Sequence, residues 1–278
     1  MNETLLLSLC GLAVLGVAAA RDATAPVEKP LVVAHRGASE DAPENTLASF
    51  TLGFEQGADL IEGDFRMTAD GRIVAMHDRT LARTTGDPRE TSKVTRDDLR
   101  SLSAGDWGRW KDGRFRSESV PTLEEVLAIV PEGRGILVEV KDSARIVPTL
   151  VRDLDRSGLK EDRVKVITFD REVVKSMKRL APRWKVLWLT SFSKRTGVWL
   201  PSVDEVIEVA RSIGADGVDV QAEPDVVDRS FVDRVRLAGL EIHCWTVNDV
   251  ELARKMSSIG MASITTDRPR VIREALGR

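Results

Sequence analysis

From Leu31 onward, short apolar runs alternate with stretches of helical period, and this alternation limits the fold more than any other feature of the chain. The runs are Leu31–His35, Leu60–Phe65, Gly135–Lys141, Val164–Phe169, Lys185–Thr190, Gly217–Gln221, Glu241–Val247 and Ala262–Thr266. Between most of them fall helical patterns: 45–56, 122–130, 144–157, 172–180, 203–213, 228–238 and 250–258. Some begin with a capping signal, such as Thr122 with Glu125 three residues later. Strands that alternate with helices belong to a parallel sheet, because a parallel return needs a crossover. Eight such units predict an α/β fold of the (β/α)8 TIM-barrel type, and 278 residues suit it.

Ile73–Met76 would make a ninth strand. It follows Asp70-Gly71, and Asp-Gly between two β-type runs signals a hairpin. Residues 66–78 are therefore expected to form a hairpin after the second strand, returning the chain to the barrel mouth near His77. Residues 79–121 are expected to form a long inserted loop with a short helix near Asp97–Leu102. This loop carries Arg83, Trp107, Trp110, Arg114 and Arg116. It is either a functional rim or a surface excursion.

The chain before Leu31 is different. Leu5–Val17 is almost wholly apolar, and Ala18, Ala19, Ala20, Arg21 and Asp22 follow. A short apolar stretch ending in A-x-A reads as a signal peptide cut after Ala20. It falls short of the roughly 20 residues that span a bilayer. The n-region carries Glu3 and no basic residue, so the alternative is a retained membrane anchor. Residues 21–30 read as a tether, and 31–278 as the barrel domain. Loss of Cys10 with the leader would leave Cys244 without an internal partner. Hydrophobic residues make up 42% and charged residues 31%, which is ample for a soluble core. A net charge of -3 gives no basic field for nucleic acid. The location expected is secreted, periplasmic or envelope-facing.

Polar residues at strand ends mark the chemistry. Glu62 and Asp64 are two apart on the second strand, so they share a face. Glu139 lies near the end of the third strand and shares a face with Lys141. Barrel active sites sit at the C-terminal strand ends. Carboxylates converging there repel one another unless a cation neutralises them, and oxygen ligands suit Mg2+ or Ca2+. The competing assignment pairs these acids with Arg36 and Lys141 in structural salt bridges. His35 and His77 stand at the same mouth, and imidazoles can exchange protons near neutral pH. His243, two residues before Trp245, reads as an interior packing residue.

Several segments occur in an order that resembles the glycerophosphodiester phosphodiesterase family. They are Val33-Ala34-His35-Arg36-Gly37, Pro43-Glu44-Asn45-Thr46, Ile61-Glu62-Gly63-Asp64, Thr68-Ala69-Asp70-Gly71 and His77-Asp78 with residues 80–85. Downstream come residues 121–125, Val138-Glu139-Val140-Lys141, Trp245-Thr246-Val247-Asn248 and residues 265–269. The resemblance spans about residues 31 to 270. It implies that Glu62, Asp64 and Glu139 bind one divalent ion, that His35 and His77 form a general acid/base pair, that Arg36 and Lys141 lie near the phosphate, and that Trp245 lines the substrate pocket. It also implies hydrolysis of a glycerophosphodiester, a small-molecule substrate, to glycerol 3-phosphate and an alcohol. The chain departs at Gly63, where the family usually has Leu, and at Val138 and Val140, where Ile is commoner. Gly63 raises a question about strand–helix packing. The alternatives are a lysophospholipase D-like activity on the same barrel and a non-catalytic phosphate-ester-binding barrel. Trp107, Trp110 and Trp199 are candidates for transient contact with lipid or head group, or else half-buried loop anchors.

Overall fold

The computed structural model describes residues 29–278; the expected leader and most of the tether lie outside the described residues. Among the described residues eleven strands are present: β1 (Leu31–Ala34), β2 (Leu60–Met67), β3 (Ile73–Ala75), β4 (Gly135–Val140), β5 (Val164–Thr168), β6 (Lys185–Thr190), β7 (Ser193–Arg195), β8 (Val198–Leu200), β9 (Gly217–Gln221), β10 (Glu241–Trp245) and β11 (Ser263–Thr266). β1, β2, β4, β5, β6, β9, β10 and β11 pair in parallel around a closed ring, which β1 completes by bonding both β11 and β2. The expected TIM barrel is therefore present, with strand ends within about two residues of those read from the apolar runs.

Each barrel strand has two buried faces, so its sequence is nearly continuously apolar. The outward faces pack on helices in a large cluster that includes Phe50, Ile61, Ile136, Leu150, Val174 and Ile264. The inward faces of Val33, Leu60, Leu137, Ile167, Leu187 and Leu189 close the barrel axis. Below this layer the interior is polar. The buried His243 ring bonds Ser263 Oγ at 2.7 Å and Glu241 at 3.2 Å, and Glu241 also pairs with Lys185. His243 is thus the interior structural histidine expected, remote from the mouth. The Gly63 question also has a physical answer. A Cβ there would come within 2.9 Å of the Phe50 ring, so Phe50 on the helix Leu47–Glu55 occupies the space a side chain would fill.

The expected hairpin is present. β2 and β3 pair antiparallel with Phe65 opposite Ala75 and Met67 opposite Ile73. The insertion after it is more ordered than a loop. It holds a helix at Arg96–Arg100 and its own small core of Val74, Met76, Leu81, Val94, Leu99, Ala104 and Val120. Trp110 is buried there against Phe115, as a loop anchor would be. Several elements have no counterpart in the sequence reading, among them the hairpin β7–β8, a short helix at Ala82–Thr85 and a terminal helix, Pro269–Ala275.

Candidate active site

The mouth is built from the ends of β1, β2, β4, β10 and β11 and from the β2–β3 hairpin. Glu62 and Asp64 face inward from β2, and Glu139 faces inward from β4, where it stands opposite Asp64 in register. One carboxylate oxygen from each lies within 4.8 Å of the others, and all three residues are buried. Both readings of these acids hold in part. Lys141 Nζ is 2.6 Å from Glu139 and 3.3 Å from Asp64, and Arg36 Nε is 3.1 Å from Asp64. Glu62 receives only the backbone N–H of Arg36, at 2.9 Å. Two cations thus face three acids. Glu62 Oε1 is buried with no donor, and Asp64 Oδ1 and Glu139 Oε1 share the single Lys141 ammonium. Buried acceptors so sparsely met are costly unless a ligand meets them, so the residues fit a hard divalent cation.

The charge balance differs among the three acids. Burial pushes Glu62 well above the usual carboxylate range, and Asp64 and Glu139 add to the shift. Burial and then Asp64 push Glu139 up to about 7, against the pull of Lys141. Burial would raise Asp64 too, but Arg36 and Lys141 outweigh it and hold Asp64 at about 2. Asn45 locks this residue in place: its Nδ2 donates to Asp64 Oδ2 at 2.8 Å, and its Oδ1 accepts from the Asp64 N–H at 3.0 Å. Asn45 and Arg36 both have positive φ, 58° and 54°. Such backbone is uncommon outside glycine and is retained here where it aims two side chains at one carboxylate.

Each mouth histidine is held through Nδ1 by a carboxylate. His35 Nδ1 is 2.6 Å from Asp267 Oδ1, and His77 Nδ1 is 2.7 Å from Asp78 Oδ1. Among the described residues no hydrogen bond is made through either Nε2. Asp267 also accepts from Ser39 Oγ at 2.8 Å and Asn248 Nδ2 at 2.5 Å, and it sits at about 2 despite its burial. Burial lowers His77, with Arg36 and Lys141 acting in the same direction against Asp64 and Asp78. A chain of ion pairs links the site to the insertion. Arg36 bonds Glu44 at 3.0 Å, Glu44 takes both terminal nitrogens of Arg83 at 2.8 Å, and Arg83 Nε bonds Asp78 at 2.6 Å. Arg66 ties the two strand ends together by donating to the carbonyls of His77 and Lys141.

A cleft of about 730 Å³ opens beside His35 and Arg36 and runs toward Glu44, Trp107, Trp110 and Asn248. On the other side Trp245 packs edge-on against Phe169 at 5.7 Å, with Lys141 Nζ 5.9 Å above the Phe169 ring. The acids Glu62, Asp64 and Glu139, the histidines His35 and His77, and Arg36, Lys141 and Trp245 therefore lie at one mouth. The sequence reading assigned no role to Asn45, Asp78, Asp267, Asn248 or Glu44, although each stood in a quoted segment. It also passed over Asp219, a β9 acid buried with both carboxylate oxygens unpartnered, which burial and Glu139 push well above the usual range.

The comparisons agree with this geometry. Residues 35–271 match the model of the "Glycerophosphoryl diester phosphodiesterase family". A glycerophosphodiester phosphodiesterase of Caldanaerobacter subterraneus is 29% identical over 249 residues, covering 88% of this chain and 96% of that protein. One from Bacillus subtilis is 28% identical over 255 residues, covering 87% and 85%. Among solved structures, an Oleispira antarctica phosphodiesterase in complex with the product sn-glycerol-3-phosphate superposes with a TM-score of 0.78. It is 27% identical, with 90% of this chain and 98% of that chain covered. Barrel, mouth acids, paired histidines and these relatives converge, and the chain is an enzyme of the glycerophosphoryl diester phosphodiesterase family.

Proposed function

We propose that the protein hydrolyses glycerophosphodiesters to glycerol 3-phosphate and an alcohol, with His35 and His77 as proton-transfer groups and one Mg2+ or Ca2+ held by Glu62, Asp64 and Glu139. The observation that carries this reading is the pairing of two histidines, each oriented by its own carboxylate, with three buried acids whose oxygens converge within 4.8 Å and outnumber the cations beside them. When bound, the cation would polarise a phosphoryl oxygen. Arg36 and Lys141 would offset the charge that builds on the phosphoryl oxygens in the transition state. With its Nδ1–H donating to the Asp78 carboxylate, a neutral His77 offers Nε2 as an acceptor, and its lowered pKa favours that form, so His77 suits the base. His35, beside the ionised Asp267, suits the acid that delivers a proton to the leaving alcohol. Trp245 would line the pocket for the glycerol or alcohol portion.

Incubation with a panel of glycerophosphodiesters and a lysophospholipid tests the reading. Release of glycerol 3-phosphate from the soluble diesters is the expected result. Preference for the lysolipid would move the assignment to a lysophospholipase D-like activity. Binding without cleavage would reduce the barrel to a phosphate-ester-binding module. Export past the inner membrane, based on the apolar stretch 5–17 and Ala18–Ala20, belongs to the same proposal.

A further inference from the structure

The loop after β6 lies on the same rim as the active site, yet nothing in the catalysis uses it. Within it β7 and β8 form an antiparallel ribbon with Ser193 opposite Leu200, Lys194 opposite Trp199 and Arg195 opposite Val198. Thr196 and Gly197 close it with φ of 47° and 85°, the two positive values of a type I′ turn. The ribbon bonds to no other strand among the described residues. A lone two-stranded ribbon is marginal in water, so it needs an anchor. Trp199 supplies one by packing on the main core, with Lys194 Nζ 5.4 Å over its ring.

What faces outward is apolar and basic together. Val198 is 60% exposed, Leu200 37%, and Phe169, at the end of the adjacent barrel strand β5, 45%. Residues 193–195 are all exposed. No acidic residue lies between Phe192 and Ser202, although the chain as a whole is net negative. Short edges carrying Lys and Arg discourage the addition of a protein strand. Apolar side chains flanked by exposed cations with no acidic neighbour in the ribbon suit an anionic bilayer, where the first enter the headgroup boundary and the second meet its charge.

We propose that the β7–β8 hairpin docks the barrel mouth on an anionic lipid surface, with Val198 and Leu200 inserting and Lys194 and Arg195 pairing with headgroups. The proposal does not depend on the catalytic assignment, since docking is read without turnover. Every described element begins at Leu31 or later, so a chain starting at Arg21 retains the whole barrel and removes the apolar leader from the measurement. Its circular dichroism and thermal melt, compared with those of the full chain, verify the fold.

The experiment is co-sedimentation with vesicles of phosphatidylcholine alone or mixed with phosphatidylserine. The wild type should partition onto the mixed vesicles, and less so as salt rises. Each basic residue near such a surface is worth roughly a factor of five, so K194Q/R195Q, which removes two of them, should lower partitioning by about 30-fold. V198S/L200S should also weaken it. Circular dichroism and thermal melts should stay unchanged in both variants, which shows that they are folded. A wild type that stays in the supernatant, or a charge variant that binds as tightly as wild type, overturns the proposal. So does a wild type indifferent to vesicles whose mass in analytical ultracentrifugation halves on either double replacement, because the partner would then be a second copy of the chain.

Discussion

Lowering the pH should weaken the metal site, and Glu139 sets the size of the effect. Burial and Asp64 raise this carboxyl from 4.5 to about 7 without a cation. A divalent ion needs it ionised, so protons and metal compete. With a pKa of about 7, Glu139 is ionised in roughly nine of ten molecules at pH 8 and about one in a hundred at pH 5. Apparent Mg2+ or Ca2+ affinity should therefore fall about 100-fold from pH 8 to pH 5, on the order of 2.7 kcal/mol. Glu62, pushed in the same direction, steepens the fall. Asp64, held at about 2, contributes nothing in this window. The sign for stability follows from the same shift. An acid whose folded pKa is raised binds more protons folded than unfolded. The metal-free protein thus loses stability as pH rises from about 4.5 to about 7, while the metal-loaded protein is spared that loss. Calorimetric titration at several pH values, with thermal melts of both forms, measures both quantities. Glu139→Gln removes the titrating group and should flatten the pH slope while lowering affinity overall. Affinity that stays level from pH 5 to pH 8 would refute the reasoning.

Replacing His35 or His77 by Ala should cut kcat by roughly 10²–10⁴-fold, with the double variant little worse than either single one. Both side chains are partly exposed at the rim, so thermal melts should change little. Gly63→Leu should lower the melting temperature through overpacking against Phe50, at a cost of about 1–3 kcal/mol, with kcat per folded molecule retained. Mass spectrometry of the exported native protein should find an N-terminus near Arg21; a mature chain that keeps residues 5–17 would make the segment an anchor.

The barrel was legible because a strand buried on two faces must be apolar almost throughout, and eight such runs occur. Glu62 and Asp64 were legible for the converse reason, as charges placed where apolar residues belong. What escaped was what depends on tertiary partners. Asp267 meets His35 across 232 residues of sequence, and nothing local to residue 267 announces it. Asn45 looks like a loop polar residue until its left-handed backbone is seen to place both ends of its amide on Asp64. β7 and β8 escaped because their residues are mostly exposed, so the apolar alternation that reveals a strand is missing. The insertion looked irregular because its seven-residue core is scattered between Val74 and Val120.

The account turns on a divalent ion at Glu62, Asp64 and Glu139 in an enzyme that releases glycerol 3-phosphate. The direct measurement is glycerol 3-phosphate release from glycerophosphocholine by protein stripped with chelator, then titrated with Mg2+ and with Ca2+. The account predicts no turnover after stripping, restoration by one of the two ions to saturation at one equivalent, and no restoration in Glu62→Gln. Full turnover by the stripped protein, with metal content checked by elemental analysis, would contradict it.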